Sequence, residues 1–557
     1  MQPMYLAGQQ YRAMAPFNLS PSLIARYFFH DCPRFLRYSA TPQARRRAEG
    51  IPDAVEDKSI TSRVLTTKGF AWEDEVVGRR IPGKVLVADG GTVIHERRFS
   101  VPESKKILAA VRPGTGVYQS TLIIPAKFYE RHGLDPSVCT FNECRPDLVW
   151  CVDGEKRPLL RVIDLQATDQ VKTSHRIQVA LYSLILESVL AEHTIDRAAD
   201  GAAAGIWLQD AETPEMIDIG MDTGVLATFL ARDLEPILTV PHADLPWHLR
   251  PACETCPFFA SCRREAEETN SVSLLPGLTP AGRRFLRERA GVETLDDLDR
   301  FLAGPDADDV VRTCGSLRGR GERLRAGVGA LREGKVVPLG GTSSSLPRPE
   351  GVGIVLTLAR EPAGKRVYAA GFRRFKGTAV YGTPYREWTS VARTGDECEA
   401  VVQEFVRTLA AELEEVERFN AGKPFAERKS LQTYVLDDSE RRIFLEALKG
   451  CDGPDAERLL AYYAGEGEAA RVRYPVVVLS RVLAECLALP VPVACRLPDA
   501  LAVLLGPDHP ASFRPSPLFW PETGNLMKSD AVYMAWYEGK DEAMEWIEGE
   551  VRRRLRA

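Results

Sequence analysis

The sequence has no long uninterrupted apolar run. Its most apolar stretch, 475–506, is broken by Arg481, Glu485, Arg496 and Asp499 and by several prolines, so nothing there can cross a bilayer and no membrane partner is expected. A surplus of one charge is missing too: 72 Lys and Arg stand against 77 Asp and Glu, a formal net charge of -5. That excludes a globally basic footprint, and any nucleic-acid contact must come from local patches. No G-x-x-x-x-G-K-[ST] loop occurs, which excludes an ATP-driven helicase motor within the chain. The opening MQPMYLAGQQYRAMAPFNLS lacks a charged-then-apolar leader. With twelve cysteines in the chain, this predicts a reducing, cytoplasmic setting in which thiols stay free to bind metal. We find no internal repeat.

What is there is size and organisation. A chain of 557 residues exceeds one ordinary core and predicts an α/β protein of two or three domains. We place them at 1–270, 271–345 and 346–557. Ser20-Pro21 opens a helix carrying Leu23, Ile24, Tyr27 and Phe28, with Cys32-Pro33 toward its end. A second helix begins near Gly69 and carries Glu73. RPDLVWCV and LLRVIDLQA read as two strands joined by the turn DGEKRP, RIQVALYSLILESVL as a helix, and AAAGIWLQD as a further strand.

The cysteines are unevenly spread. Cys32 stands near the start, while Cys253, Cys256 and Cys262 cluster far downstream. A C-x-x-C turn brings two sulfurs to one ion or cluster, the thiolate being the ligand form. On spacing alone, structural zinc, an iron–sulfur cluster and four unrelated core cysteines all stay open.

Hydrolysis of a phosphodiester by a divalent cation needs oxygen ligands converging on one point, where the ion activates water and offsets charge on the phosphate. Three acids suit this. Asp147 begins one strand, Asp164 lies on the next, and Glu73 comes from a preceding helix. Gln166, two residues beyond Asp164, points to the same face of its strand. Any one acid alone reads as a surface salt-bridge partner; the joint pattern reads as a metal site.

Asp147, then Asp164-Leu165-Gln166, then Gln178-x-x-x-Tyr182 on a helix resembles the PD-(D/E)XK nuclease core of RecB-like proteins, over roughly the first half of the chain. Relatives with an iron–sulfur staple, among them AddB-type and CRISPR adaptation nucleases, carry one cysteine before the core and three after it. The resemblance therefore implies that Cys32, Cys253, Cys256 and Cys262 hold a [4Fe–4S] cluster, with Zn2+ as the alternative. It further implies that Glu73, Asp147 and Asp164 bind Mg2+ or Mn2+, while Gln178 and Tyr182 position DNA or the metal-site side chains. The departure is Gln166, where the family has a lysine; an amide offers no cation to the attacking water or the phosphate. Lys172 is a nearby candidate to supply that charge.

The remainder is read in two parts. SLLPGLTPAGRRFLRERAGVETLDDLDRFL resembles a helix-hairpin-helix element, whose backbone amides and arginines can hold a DNA phosphate; a solvated helical linker is the plain alternative. After the linker GGTSSSLPRPEG, the chain resembles the RNase H-like region that follows the nuclease domain in larger relatives. In GIVLTLARE, Thr357 and Ala359 stand where that region would place its Asp-x-Glu pair, so the domain is read as degenerate. Asp437 and Asp438 are read as helix-capping residues. The expected function is a metal-dependent DNA nuclease acting on single-stranded ends or flaps in DNA processing, repair or defence. Its rival is a non-catalytic DNA-binding scaffold with a silenced site, partnering a separate helicase. A third reading is an RNA-processing or purely structural zinc protein.

Overall fold

The computed structural model describes residues 15–55, 60–90, 92–168, 170–209, 211–340, 346, 351–361, 366–463, 476–493, 497–506, 533, 536–537, 539 and 541–556. The linker read at 340–351 lies mostly outside them. The chain is mixed α/β and folds as two units, residues 1–248 with 255–261 and residues 249–254 with 262–557. Among the described residues no helix is long and apolar enough to cross a membrane.

In the first unit, α1 (Pro21–His30) starts on Ser20, whose hydroxyl accepts from the Leu23 amide at 3.1 Å. It stops earlier than the sequence suggests: Asp31 takes a left-handed conformation (φ 42°), and Cys32 becomes the N-cap of a separate helix, α2 (Pro33–Ala40). The proline that reads as a helix end is the first residue of the next one. The Glu73 helix, α3 (Ile60–Glu75), begins well before Gly69 and runs on into a π-helical turn at Val76–Arg80. Gly69 has nothing within 4 Å of where a Cβ would sit, so it marks an open face of the helix rather than its start.

Strands β1 (Lys84–Leu86), β2 (Thr115–Tyr118), β3 (Leu148–Val152) and β4 (Leu159–Gln166) lead into α4 (Thr173–Glu192), then β5 (Ala203–Leu208) and β6 (Glu215–Asp218). They hydrogen-bond in sequence order as one sheet. β2–β3, β3–β4 and β5–β6 are antiparallel; β1–β2 and β4–β5 are parallel, with α4 as the crossover between β4 and β5. The strand, strand, helix, strand order read at 145–209 is borne out. Helix α4 buries residues almost all round, from Ile177 through Leu190, as expected of a helix enclosed by core rather than lying on a surface.

The alternation along β4 decides where its polar residues go. Leu160 and Val162 join the main core with α4, while Ile163 and Leu165 join a smaller cluster on the other face with Trp72, Val76, Tyr118 and Trp207. Asp164 and Gln166 therefore share the α4 face.

The second unit begins with helical hairpins: α5 (Pro280–Ala290) and α6 (Leu295–Leu302), then α7 (Ala307–Thr313) and α8 (Gly321–Glu333). Thr279 and Thr294 cap α5 and α6 through their side chains. A sheet follows, from β7 (Val352–Arg360), β8 (Val367–Lys376), β9 (Arg386–Val391), β10 (Leu431–Val435) and β11 (Val476–Val478). Its order is β9-β8-β7-β10-β11, antiparallel among the first three and parallel from β7 to β10 and β11. The long helix α9 (Cys398–Asn420) packs on β8, with Val401, Phe405, Leu409 and Leu413 buried and Val402 half-buried. Asp437 caps α10 (Asp438–Lys449) by accepting from the Glu440 amide at 2.9 Å, as read. The helix α11 (Asp541–Arg556) crosses the β8 side of the sheet, where Gly371 leaves room for Val551 and Leu555.

Candidate active site

The site lies wholly in the first unit, where β2 ends, β3 begins and β4 ends. The β3–β4 register pairs Leu148 with Ile163, so continuing it by one step sets Asp147 directly across from Asp164. Side chains so opposed sit about 5 Å apart at Cβ, and like charges there repel. Asp164 is fully buried and Asp147 is only partly accessible. Glu73 reaches the pair from the last turn of α3.

Each acid is held by named donors. Tyr118, the last residue of β2, donates its hydroxyl to Glu73 Oε2 at 2.7 Å. The Leu165 amide donates to Asp147 Oδ2 at 2.8 Å, and Gln119 Nε2 approaches Oδ1 at 3.5 Å. Gln119 has a left-handed backbone (φ 49°) and donates its own amide to the Asp147 carbonyl at 2.9 Å. A non-glycine residue in that region is uncommon and marks a spot where surroundings dictate the backbone. Asp164 receives two side-chain amides, Gln166 Nε2 on Oδ2 at 2.6 Å and Gln178 Nε2 on Oδ1 at 3.2 Å.

Burial is the largest cause of an upward pKa shift at all three acids. At Asp147, whose shift is pronounced, the charges of Asp164 and then Glu73 add to it. At Glu73, Asp164 pushes the same way, against the Tyr118 hydrogen bond and His95. At Asp164 the hydrogen bonds from Asp147, Gln166 and Gln178 work downward without cancelling burial. Asp147 and Asp164 share a hydrogen bond and so hold a proton between them, and a cation that takes the place of that proton would relieve the desolvated cluster. Oxygen donors of this kind fit a hard divalent ion such as Mg2+ or Mn2+. Among the described residues, no three His, Cys, Asp or Glu side chains have the spacing of a formed metal centre. For the acids, the hydrogen bonds above already occupy Glu73 and both oxygens of Asp164.

The structure thus brings Glu73, Asp147, Asp164, Gln166 and Gln178 together. Tyr182, buried on α4, is close enough for Asp164 and Asp147 to raise its pKa after burial has done so. Lys172 sits at the start of α4, and its charge joins burial in lowering the His175 pKa to about 4. The sequence reading missed Tyr118 and Gln119. It also missed a dyad beside Glu73: His95 Nδ1 lies 2.9 Å from Asp74 Oδ2, its backbone amide donates to Asp74 Oδ1 at 2.8 Å, and its ring stacks on Phe70 at 4.5 Å. Glu73 and Asp74 stand next to each other in sequence, but no spacing pattern announces a distant histidine.

The four cysteines divide between the units. Cys32 precedes α2 and Cys256 is buried, both in the first; Cys253, in a 3-10 turn at Pro251–Thr255, and Cys262, in the helix Phe259–Glu268, belong to the second. None of the four is in a disulfide. No protein-family model matches the chain, and no curated protein is significantly similar to it.

Proposed function

We propose that the first unit is a divalent-metal-dependent DNA nuclease of the PD-(D/E)XK kind. One observation carries the reading: Glu73, Asp147 and Asp164 come from three separate elements into one desolvated cluster, where burial raises all three pKa values and the charges of Asp164 and Glu73 push Asp147 further. The sheet order, with α4 crossing from β4 to β5, supports it. When bound, the cation would activate water and offset charge on the phosphate. The chain's own part is to hold and orient. Tyr118 fixes Glu73, Gln119 and the Leu165 amide fix Asp147, and Gln178 fixes Asp164. Its substrate, on this reading, is DNA with single-stranded ends or flaps.

The second reading is a DNA-binding scaffold with a silenced site, and a specific contact favours it. Gln166 lies on Asp164 Oδ2 at 2.6 Å, where a lysine would present a cation. The second unit fits a supporting role. Its sheet order, three antiparallel strands followed by two parallel ones, supports the RNase H-like reading. Thr357, at the expected acid position, donates instead to Glu440 Oε1 at 2.5 Å. In the helical hairpins, Arg320 Nη1 donates to the Gly277 carbonyl at 3.1 Å, linking two glycine turns suited to a phosphate backbone. A [4Fe–4S] cluster on Cys32, Cys253, Cys256 and Cys262, or Zn2+ in its place, and a separate helicase partner belong to both readings.

The test is cleavage of labelled single-stranded and flapped DNA by anaerobically purified protein with Mg2+ or Mn2+. Cleavage abolished by Asp164→Ala establishes the nuclease. Binding without cleavage, with cutting gained in Gln166→Lys, establishes the silenced scaffold.

A further inference from the structure

Resting on the nuclease reading, the question left by Gln166 is where the site finds a cation to face the phosphate. Gln166 is neutral and committed to Asp164, and Lys172 starts α4 six residues beyond the end of β4, where its charge is felt at His175. His95 is engaged by Asp74 and stacked on Phe70. Arg145 remains. It stands two residues before Asp147, at the entrance to β3. Its charge reaches the Tyr182 hydroxyl, which Asp164 and Asp147 reach as well.

The guanidinium is poised rather than committed. Its Nε is buried with no hydrogen-bond partner among the described residues. Its Nη2 meets Glu143 Oε2 at 3.2 Å, in a pair whose side chains are 37% and 51% exposed. Such exposed pairs contribute little and are readily exchanged. A guanidinium presents planar, paired donors that match two phosphate oxygens.

We propose that Arg145 is the phosphate-binding cation of this site, taking the non-bridging oxygens of a DNA phosphate beside the Asp147–Asp164 pair and releasing Glu143 as it does so. Arg145 then binds substrate from the strand entrance, on a different element from Gln166. Glu143 becomes an internal competitor for the same guanidinium.

The experiment uses the full chain and labelled oligothymidylate. Binding is read in an Asp164→Asn background, and cleavage with Mn2+ in the otherwise native protein. Arg145→Ala should weaken binding about tenfold or more, and should lower the slope of log affinity against log salt by about 0.7, one phosphate contact on a single strand. Added guanidinium should restore part of the lost cleavage. Glu143→Gln should move binding the other way, to higher affinity, a result that a merely structural Arg145 does not produce. Native affinity and slope in Arg145→Ala, or weaker binding in Glu143→Gln, would overturn the proposal. Binding that depends on Arg145 in a protein that never cuts would sustain it and remove the nuclease reading instead; no binding by any variant would remove both.

Discussion

The acid cluster makes a strong prediction about stability. Because the pKa values of Glu73, Asp147 and Asp164 are raised in the fold, their protonated forms are favoured there. Their contribution is therefore fully present below the ordinary carboxylate range near pH 4 and is lost as pH rises through the raised values. On the proposed nuclease reading a cation would bind the deprotonated set, so its effect would run oppositely, absent at low pH and growing toward neutrality. At a cation concentration about 100-fold above Kd, binding to the folded state adds about 2.7 kcal/mol. The first unit comprises residues 1–248 and 255–261, a size at which about 1 kcal/mol moves Tm by roughly 2–4 °C, so saturation should raise its transition by roughly 5–11 °C. The assay is a thermal melt followed by circular dichroism, at pH 4.5 and 7.5, with and without Mn2+. Asp147→Asn should remove the cation response. Without metal it should melt above the native protein at pH 7.5, by the roughly 0.2–1 kcal/mol that an opposed like-charged pair costs. No upward shift with Mg2+ or Mn2+ at pH 7.5, or an undiminished shift in Asp147→Asn, would refute the reasoning.

Four further outcomes are expected. Tyr118→Phe removes the hydroxyl that Glu73 accepts from; it should cost about 0.5–1.5 kcal/mol in a denaturant melt and weaken Mn2+ binding by calorimetry. Glu412→Gln breaks a buried ion pair with Arg374 at 2.7 Å and a second contact at 2.7 Å with the half-exposed Arg386. It should destabilise the second unit by about 3–5 kcal/mol, leaving the Mn2+ response of the first unchanged. Gly371→Val would set its Cβ 2.8 Å from Val551 and 3.0 Å from Leu555, costing about 1–3 kcal/mol by overpacking and exposing α11 to limited proteolysis. Protein purified without oxygen should be coloured and carry iron, with Cys256→Ser losing both; colourless protein that contains zinc would assign the cysteines to that metal.

Much of the site was legible because period and spacing encode it. β3, β4 and α4 announce themselves as two short apolar strands and a long apolar helix, and the alternation along β4 puts Asp164 and Gln166 on one face. Asp437 as a cap follows from its place before a helix. Other features depend on the fold. Tyr118 and Gln119 reach the acids because β2 lies beside β3, a long-range pairing with no local signature. The left-handed turn at Asp31 that separates α1 from α2 is set by the fold, whereas sequence pattern favours carrying α1 on to Cys32. Helix α3 outruns its expected start because a single half-buried glycine, Gly69, weakens a helix without ending it.

The position of α11 also bears on how the protein is made. Ile547, Val551 and Leu555 are buried, and Trp536 donates its indole N–H to the Ala392 carbonyl at 2.8 Å, so one face of the β8–β9 hairpin is closed by residues translated long after it. At 5–20 residues per second, that face stays uncovered on the nascent chain for on the order of ten seconds. The strands around Gly371 are therefore the part of the second unit most in need of a chaperone during synthesis, and a nascent chain stalled before residue 541 should be captured there.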